Sequence, residues 1–218
     1  CDCRRGVCGF RARDVETAMT EYSVRGSNVV VVGAGQTAGD TIGNGRATAL
    51  LFAREGASVM LVDRVIESAE ETAELIREEG GECTTFEADI TSADDCHAFA
   101  QATLAAYERI DILHNNVGIG HGDTGPVHLA EETFQLILDV NLKGTFLSCK
   151  YALPIMRRQN SGSIINVSSI AAVCSVGLVA YKASKAAVNA LTHSIATGNA
   201  RYGIRANVIM PGLINTPM

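Results

Sequence analysis

The fold is decided by the stretch VVVVGAGQTAGDTIGNGRATA, which occupies residues 29–49. Four consecutive valines, typical of a strand buried on both faces, run into a segment with glycines at positions 33, 35, 39, 43 and 45. A strand that ends in glycines and opens a helix turns backbone N–H groups and the positive helix end toward an anion. The stretch therefore predicts a strand, a phosphate-binding turn and a helix that begins at Gly45 or Arg46.

These glycines are more widely spaced than in a compact phosphate-binding turn, which needs about three glycines over about six residues. We assign the tight turn to Gly33, and the close approach to a phosphate to Gly43 and Gly45 at the start of the helix. Residues 36–41 then form an inserted loop that can arch over the ligand. An alternative register uses Gly39 with Gly43 and Gly45, and it leaves six residues between strand and turn.

Apolar, β-rich segments recur along the chain and alternate with helix-like segments. The strand candidates are residues 28–33, 58–63, 82–89, 110–116, 162–169 and 204–212. Such alternation predicts βαβ units and a parallel sheet, and right-handed crossovers make it doubly wound. We predict one α/β domain over residues 27–218, a three-layer α/β/α Rossmann fold with strand order 3-2-1-4-5-6. A polar, weakly structured extension over residues 1–26 precedes it.

Charge and hydropathy argue against several classes of function. The 218 residues carry a net charge of −6 without a block of Lys or Arg, so we expect no nucleic-acid partner. No apolar run reaches the roughly 18 residues that span a bilayer, and the first residues lack the apolar stretch of a secretory signal. We therefore expect a cytoplasmic protein with no membrane partner. Because the chain starts with Cys1, we also expect a fragment or a processed product.

The seven cysteines do not predict a metal site. Cys1, Cys3 and Cys8 cluster without a nearby histidine, whereas zinc takes four ligands with paired spacing. The histidines at positions 114, 121 and 128 have a spacing that matches no compact metal motif. We expect no metal, and reduced, mostly buried thiols.

An acidic residue at the end of the second predicted strand bears on the choice of nucleotide. Asp63 follows Gly45 by 18 residues, close to the roughly 20 expected for a carboxylate that binds the adenosine ribose hydroxyls. A carboxylate at this place favours NAD, because it would repel the extra phosphate of NADP. The neighbouring Arg64 weakens that preference without reversing it.

A tyrosine and a lysine in the segment AYKASKAAV (180–188) predict acid/base chemistry. Tyr181 and Lys185 lie four residues apart, on one face of a helix. A tyrosine phenol ordinarily has a pKa near 10, and an adjacent cation lowers it, so such a pair can exchange protons closer to neutral pH. The preceding strand ends in Ser168 and Ser169, at the sheet edge where doubly wound proteins bind ligands.

Together these motifs resemble the short-chain dehydrogenase/reductase family. The resemblance runs from about residue 28 to residue 218. It rests on the glycine segment, Asp63, NNVG (115–118), NLKGTF (141–146), INVSS (165–169), YKASK (181–185) and VIMPGLINTPM (208–218).

The resemblance implies a role for each matching residue. Tyr181 matches the general acid/base, Lys185 the residue that holds the nicotinamide ribose and lowers the tyrosine pKa, and Ser169 the hydroxyl that binds the substrate oxygen. Asn141 matches the residue that positions a water in a proton relay to Lys185. The implied NAD-binding set comprises Gly33, Gly35, Gly43, Asn44, Gly45, Asp63, Asp89, Ile90, Asn116, Gly118, Tyr181, Lys185, Pro211, Gly212, Ile214 and Thr216.

The implied activity is hydride transfer between NAD and a small-molecule alcohol or carbonyl substrate, in a homodimer or homotetramer. NADP is the less favoured cofactor. A non-catalytic NAD-binding module with the same fold is the alternative hypothesis. The segment between Ser169 and Tyr181 is one residue shorter than usual in the family, so Ser168 is an alternative for the substrate-binding hydroxyl. Family members continue through a substrate lid, a helix and a seventh strand, so we expect a truncated sequence.

Overall fold

The computed structural model describes residues 23–175 and 177–217. They form a six-stranded parallel sheet in the order β3-β2-β1-β4-β5-β6, which confirms the predicted Rossmann arrangement. The strands are β1 (Asn28–Val32), β2 (Ser58–Asp63), β3 (Glu82–Glu87), β4 (Ile112–Asn115), β5 (Gly162–Val167) and β6 (Ile204–Ile209). The extension predicted for residues 1–26 lies mostly outside the described residues. Within it, Gly26 N–H donates to the Gly56 carbonyl at 2.8 Å.

Six α-helices connect and cover the strands in the described residues. They are α1 (Asn44–Arg54), α2 (Ile66–Glu78), α3 (Ala93–Tyr107), α4 (Glu131–Leu138), α5 (Thr145–Gln159) and α6 (Val179–Asn199). A π-helical turn (Asp139–Gly144) joins α4 to α5, and a 3₁₀ turn (Ile170–Ala172) follows β5. None of the described helices is long and apolar enough to cross a membrane.

The four valines of β1 explain why this strand lacks the alternation of a half-exposed strand. Val30 and Val32 face one apolar cluster, formed with residues of α3, α5 and α6. Val29 and Val31 face a second cluster, formed with residues of α1 and α2. All four side chains are at most 1% exposed, so β1 is the central strand of a sheet with helices on both faces.

The parallel register brings the carboxyl ends of the strands to one edge of the sheet. Val32 pairs with Val62 on one side and with Asn115 on the other, and Asn115 pairs with Asn166. The segments that follow β1, β2, β4, β5 and β6 therefore surround one crevice, where doubly wound sheets bind their ligands. Ser169 and most of the predicted cofactor-binding residues lie in or beside these segments. The other predicted site residues follow β3 or lie in helical segments: Asp89, Ile90, Asn141, Tyr181 and Lys185.

Several predicted boundaries are wrong by one to three residues. Helix α1 begins at Asn44, one residue before the earlier of the two predicted starts, because Gly43 is its extended N-cap. Strands β3, β4, β5 and β6 end before the last residues that we predicted for them. The chain leaves the ladder there to enter the loops of the crevice.

Candidate active site

The turn after β1 brings Gly33 against the start of α1. Gly33 has φ +80°, in the left-handed region that favours glycine. A Cβ on Gly45 would overlap the carbonyl oxygen of Gly33, so this position needs glycine for close backbone packing. Gly43 supplies no side-chain cap to α1, and the first helical N–H groups have no acceptor within the helix. This is the geometry of an anion-binding helix terminus.

The inserted loop is hydrogen-bonded to Gly43 and extends toward the segment after β6. The Gln36 side chain accepts from the Gly43 N–H at 2.9 Å, and the Gln36 N–H donates to the Ser68 hydroxyl at 2.7 Å. A Cβ on Gly39 would overlap the ring of Pro217, in the segment after β6. Residues 36–42 thus reach from β1 across to the far side of the crevice, and Gly39 does not pack into the turn.

Asp63 ends β2 and already organises the neighbouring backbone. Its Oδ2 accepts from the Gly35 N–H at 2.8 Å, and its Oδ1 accepts from the Val65 N–H at 3.1 Å. A carboxylate oxygen accepts more than one hydrogen bond, so both oxygens keep capacity for ribose hydroxyls. The structure therefore joins Asp63 to Gly35, two residues that the family resemblance placed in the same cofactor-binding set.

Asp89 and Ile90 follow β3 on the same edge. Partial burial pushes the pKa of Asp89 up, but hydrogen bonds from the N–H and hydroxyl of Thr91, with Arg64 and Lys143 nearby, outweigh it and leave the pKa below its usual value. Asp89 is therefore ionised at neutral pH. Ile90 packs against Gly144, where a Cβ would meet the isoleucine side chain.

The segment after β4 forms the floor of the crevice. The Asn116 amide donates to the Gly33 carbonyl at 3.3 Å, so it ties this segment to the glycine turn. Gly118 lies against the ammonium group of Lys185: a Cβ there would come within 2.8 Å of Nζ. Because residue 118 has no side chain, the lysine head group approaches the backbone here more closely than a Cβ would allow.

Tyr181 and Lys185 lie on the first two turns of α6 and face the crevice. The Lys185 Nζ is 5.7 Å from the centroid of the Tyr181 ring and donates to the Val167 carbonyl at 2.9 Å. Only 2% of Lys185 is exposed, and its burial lowers the lysine pKa to about 8. An ammonium group has three donors, and the protein acceptor in the described residues uses one of them.

The two serines after β5 have different environments. Ser168 is buried, and its hydroxyl donates to the Lys185 carbonyl at 2.9 Å, so its proton is committed to the helix. Ser169 is partly exposed, and its oxygen accepts from the Ala171 N–H at 3.1 Å, which leaves its own proton free to donate. The geometry therefore favours Ser169 over Ser168 for a substrate oxygen.

Asn141 lies in the π-helical turn and is fully buried. Its carboxamide accepts from the Ile119 N–H at 2.8 Å and donates to the Ile119 carbonyl at 2.9 Å and to the Ser184 hydroxyl at 3.0 Å. The side chain is thus committed to the loop after β4. Both amide protons are used, so a water bound to Asn141 must donate to the second lone pair of its side-chain oxygen or of its backbone carbonyl, which accepts from the Thr145 hydroxyl at 2.8 Å.

The segment after β6 closes the crevice on the side of β5. The Pro211 carbonyl accepts from the Ile170 N–H at 2.9 Å, which holds the segment beside Ser169. Gly212 and Ile214 follow, and the Thr216 N–H donates to the Ile214 carbonyl at 3.0 Å. Ile214 is 54% exposed, so its side chain is available to a ligand.

The described residues contain no candidate metal-binding cluster. Within residues 23–175 and 177–217, no three His, Cys, Asp or Glu side chains are grouped to hold a metal ion. Cys1, Cys3 and Cys8 lie outside these residues. His114 is buried beside Phe52, and this burial lowers its pKa to about 4, so it is neutral in the core.

Two sets of polar contacts near the crevice were not predicted from the sequence. The Asn115 and Asn166 side chains form a buried hydrogen bond of 2.8 Å between β4 and β5, and Asn166 continues to Thr192 of α6 at 2.9 Å. Asp123 accepts hydrogen bonds from the first residues of α6. Both pairings join distant parts of the chain, so no local spacing signals them.

Comparison with known proteins identifies the protein family that has this fold and crevice. The family model described as short chain dehydrogenase matches residues 27–218, and the chain belongs to this family of oxidoreductases. It is 41% identical over 83% of its length to an uncharacterized oxidoreductase of Bacillus subtilis, YxbG, and spans 66% of that relative.

Solved structures of similar proteins have the same fold. A short-chain dehydrogenase/reductase from Burkholderia xenovorans superposes with a TM-score of 0.87 at 38% identity, covering 90% of this chain and 78% of the other. NAD⁺-bound xylitol dehydrogenase gives a TM-score of 0.81 at 34% identity, covering 87% and 71%. The chain thus spans about two thirds to three quarters of the length of these relatives.

Proposed function

We propose that the protein transfers hydride between NAD and a small-molecule alcohol or its carbonyl partner, with Tyr181 as the general acid/base. One observation carries the proposal: Lys185 is buried beside this tyrosine at the crevice edge, and its ammonium group has one acceptor in the described residues, the Val167 carbonyl. A ribose hydroxyl beside Lys185 would satisfy the remaining donors. The dinucleotide supplies the hydride acceptor or donor when it is bound.

The proton chemistry follows from the positions of three side chains. In the oxidation direction, ionised Tyr181 accepts the alcohol proton as hydride leaves the same carbon. The Lys185 ammonium lies 5.7 Å from the centroid of the Tyr181 ring and supplies positive charge beside the proposed reaction centre. The free hydroxyl proton of Ser169 donates to the substrate oxygen and stabilises the charge that develops there. In the reduction direction each proton moves back along the same path.

The nucleotide assignment rests on the glycine turn and on Asp63. Gly33, Gly43, Asn44 and Gly45 would place the pyrophosphate at the start of α1, and Gly35 would support Asp63 at the adenosine ribose. Asp89 and Ile90 would flank the adenine, with Asn116 and Gly118 beneath the nicotinamide half. Pro211, Gly212, Ile214 and Thr216 would hold the nicotinamide amide. NAD is preferred because the Asp63 carboxylate repels a ribose phosphate.

The cellular and quaternary setting extends this proposal. We expect a cytoplasmic homodimer or homotetramer that acts on a small molecule, without a nucleic-acid or membrane partner. The net charge of −6 is consistent with the lack of a nucleic-acid surface.

Tyr181→Phe tests the proposed function. The variant keeps the ring packing and removes the phenol that exchanges the proton in this proposal, so we expect turnover to fall by at least about 100-fold. The assay follows NADH formation over a panel of sugars, diols, steroids and acyl-thioester alcohols. Tyr202→Phe, at a tyrosine beyond the end of α6, is the matched control and keeps wild-type rates. Binding of NAD without turnover of any alcohol would favour the non-catalytic module.

A further inference from the structure

Helix α6, which carries Tyr181 and Lys185, receives its N-terminal cap from a distant loop. Its own N-cap residue, Leu178, has no side-chain acceptor. The Asp123 carboxylate accepts instead from the N–H groups of Val179 at 3.1 Å, Ala180 at 3.2 Å and Tyr181 at 2.7 Å. Three of the four N–H groups that a helix start leaves unpaired thus end on one carboxylate.

The loop that carries Asp123 is itself fixed at its other end. Both backbone groups of Ile119 bind the Asn141 side chain in the π-helical turn. Gly120 packs on the face of Tyr181, where a Cβ would lie 3.2 Å from ring atom Cδ2. The Asp123 N–H then donates to the Gly120 carbonyl at 3.2 Å. Residues 119–123 therefore form a short bridge from Asn141 to the backbone of Tyr181.

We propose that Asp123 is a positioning residue for Tyr181. It touches no reacting atom, and it acts by holding the Tyr181 backbone in register with the loop that contacts the tyrosine ring. This inference rests on the proposed function, in which the phenol must meet the substrate oxygen and remain beside Lys185. Hydrogen bonds to a carboxylate are stronger than neutral ones, and a displacement of about 1 Å at a reacting group can cost about 100-fold in rate.

A cap that served stability alone would have a different signature. The charge of Asp123 at the helix start interacts favourably with the helix dipole, as any N-terminal carboxylate does. Ser92 offers the comparison, since its hydroxyl caps α3 by accepting from the Asp95 N–H at 3.2 Å. Helix α3 carries none of the proposed catalytic residues. Ser92→Ala is therefore a matched variant that removes a helix cap away from the proposed catalytic residues. Because the Ser92 N–H donates to the Asp89 carbonyl, kcat and the pH profile are the quantities compared, and not KM for NAD.

The experiment compares Asp123→Ala, Asp123→Asn and Ser92→Ala in the steady state over a range of pH. For Asp123→Ala we expect kcat to fall by at least about tenfold, KM for NAD to stay within about twofold, and the acidic limb of the rate profile to move. Asp123→Asn restores part of kcat, because its amide oxygen still accepts hydrogen bonds. Ser92→Ala lowers the melting temperature and leaves kcat and the pH profile unchanged.

Two outcomes overturn the inference. One is an Asp123→Ala enzyme with wild-type kcat and pH profile; the other is a rate loss that Ser92→Ala reproduces. If Asp123→Ala fails to fold, Asp123→Asn decides, with hydrogen exchange at residues 179–181 as a second measurement. Faster exchange there than in the middle of α6 is expected, and wild-type protection contradicts the cap. If the wild-type protein oxidises no alcohol, the proposed function itself is wrong. If the wild type is active and Tyr181→Phe is inactive, the proposed function stands, and a negative result with the Asp123 variants contradicts only the role of Asp123.

Discussion

Gly118 lies so close to Lys185 that a Cβ at position 118 would come within 2.8 Å of the lysine Nζ and 3.7 Å of the Asn141 Oδ1. The two residues belong to different strand–helix units, after β4 and within α6, and they meet only because the parallel sheet brings both to one edge. The missing side chain allows the lysine head group to approach the backbone of residue 118. A methyl group at this position would displace it.

Gly118→Ala should therefore impair cofactor binding while the chain still folds. The added carbon displaces the Lys185 head group, so we expect KM for NAD to rise by about tenfold and kcat to fall. Gly125→Ala in the same loop is the control, because a Cβ there meets nothing within 4 Å. Isothermal titration with NAD and steady-state rates measure both effects. Unchanged affinity in Gly118→Ala would show that the position of the Lys185 head group does not affect NAD binding.

The buried ammonium of Lys185 predicts a pH-dependent stability in the absence of cofactor. Burial lowers its pKa from 10.5 to about 8. Below about 8 the lysine is charged in both the folded and the unfolded chain, and the folded state bears the cost of burying the charge. Above about 8 the folded state releases the proton while the unfolded state keeps it to about 10.5, so this cost fades as pH rises.

Lys185→Met should accordingly be more stable than the wild type near neutral pH, by roughly 3 kcal/mol, with the difference shrinking between about pH 8 and pH 10.5. Urea unfolding at a series of pH values measures it. Lys182→Met, on the solvent side of the same helix, is the control for loss of a lysine. A difference that stays constant with pH would contradict the prediction.

The glycine turn gives a prediction that separates folding from binding. Gly45→Ala should destabilise the chain strongly, because its Cβ would overlap the Gly33 carbonyl, which is backbone and cannot move aside. At Gly43, with φ −73°, a Cβ would meet only the Gln36 side chain, at 3.7 Å. Gly43→Ala should fold normally and bind NAD at least about tenfold more weakly, since the methyl group obstructs the pyrophosphate.

Thermal melts and NAD titrations of the two variants test this contrast. Equal and strong binding by Gly43→Ala would remove Gly43 from the phosphate site.

The strand order and the pairing of Tyr181 with Lys185 could be predicted because their signals are local. Four adjacent valines can be satisfied only in a strand covered on both faces, and a spacing of four residues fixes one helix face. The register of the glycine turn was not decidable in this way, since two sets of glycines fit the spacing. The contact of Gly45 with Gly33 favours one of them, and it depends on how α1 packs on β1.

The contacts of Asp123 and Asn166 could not be predicted for a related reason. Asp123 binds residues 56 to 58 positions later in the chain, and Asn166 binds across three different elements. A loop aspartate and a strand asparagine have many local alternatives, so their sequence neighbours do not indicate their partners. The parallel pairing of β1, β4 and β5 in the folded sheet brings these side chains to their hydrogen-bond partners.

Asp63 predicts the choice between NAD and NADP. Its carboxylate sits at the end of β2, and Arg64 beside it could bind a ribose phosphate once the negative charge is removed. Asp63→Asn keeps the shape and one acceptor oxygen for the Gly35 N–H, so the turn should survive. We expect the ratio of kcat/KM for NADP over NAD to rise by at least about tenfold.

Glu82→Gln, at the amino end of β3, is the matched control and should leave the ratio as it is. Initial rates with each cofactor at constant ionic strength give the ratio, and a value equal to that of the wild type would mean that Asp63 does not face the adenosine ribose.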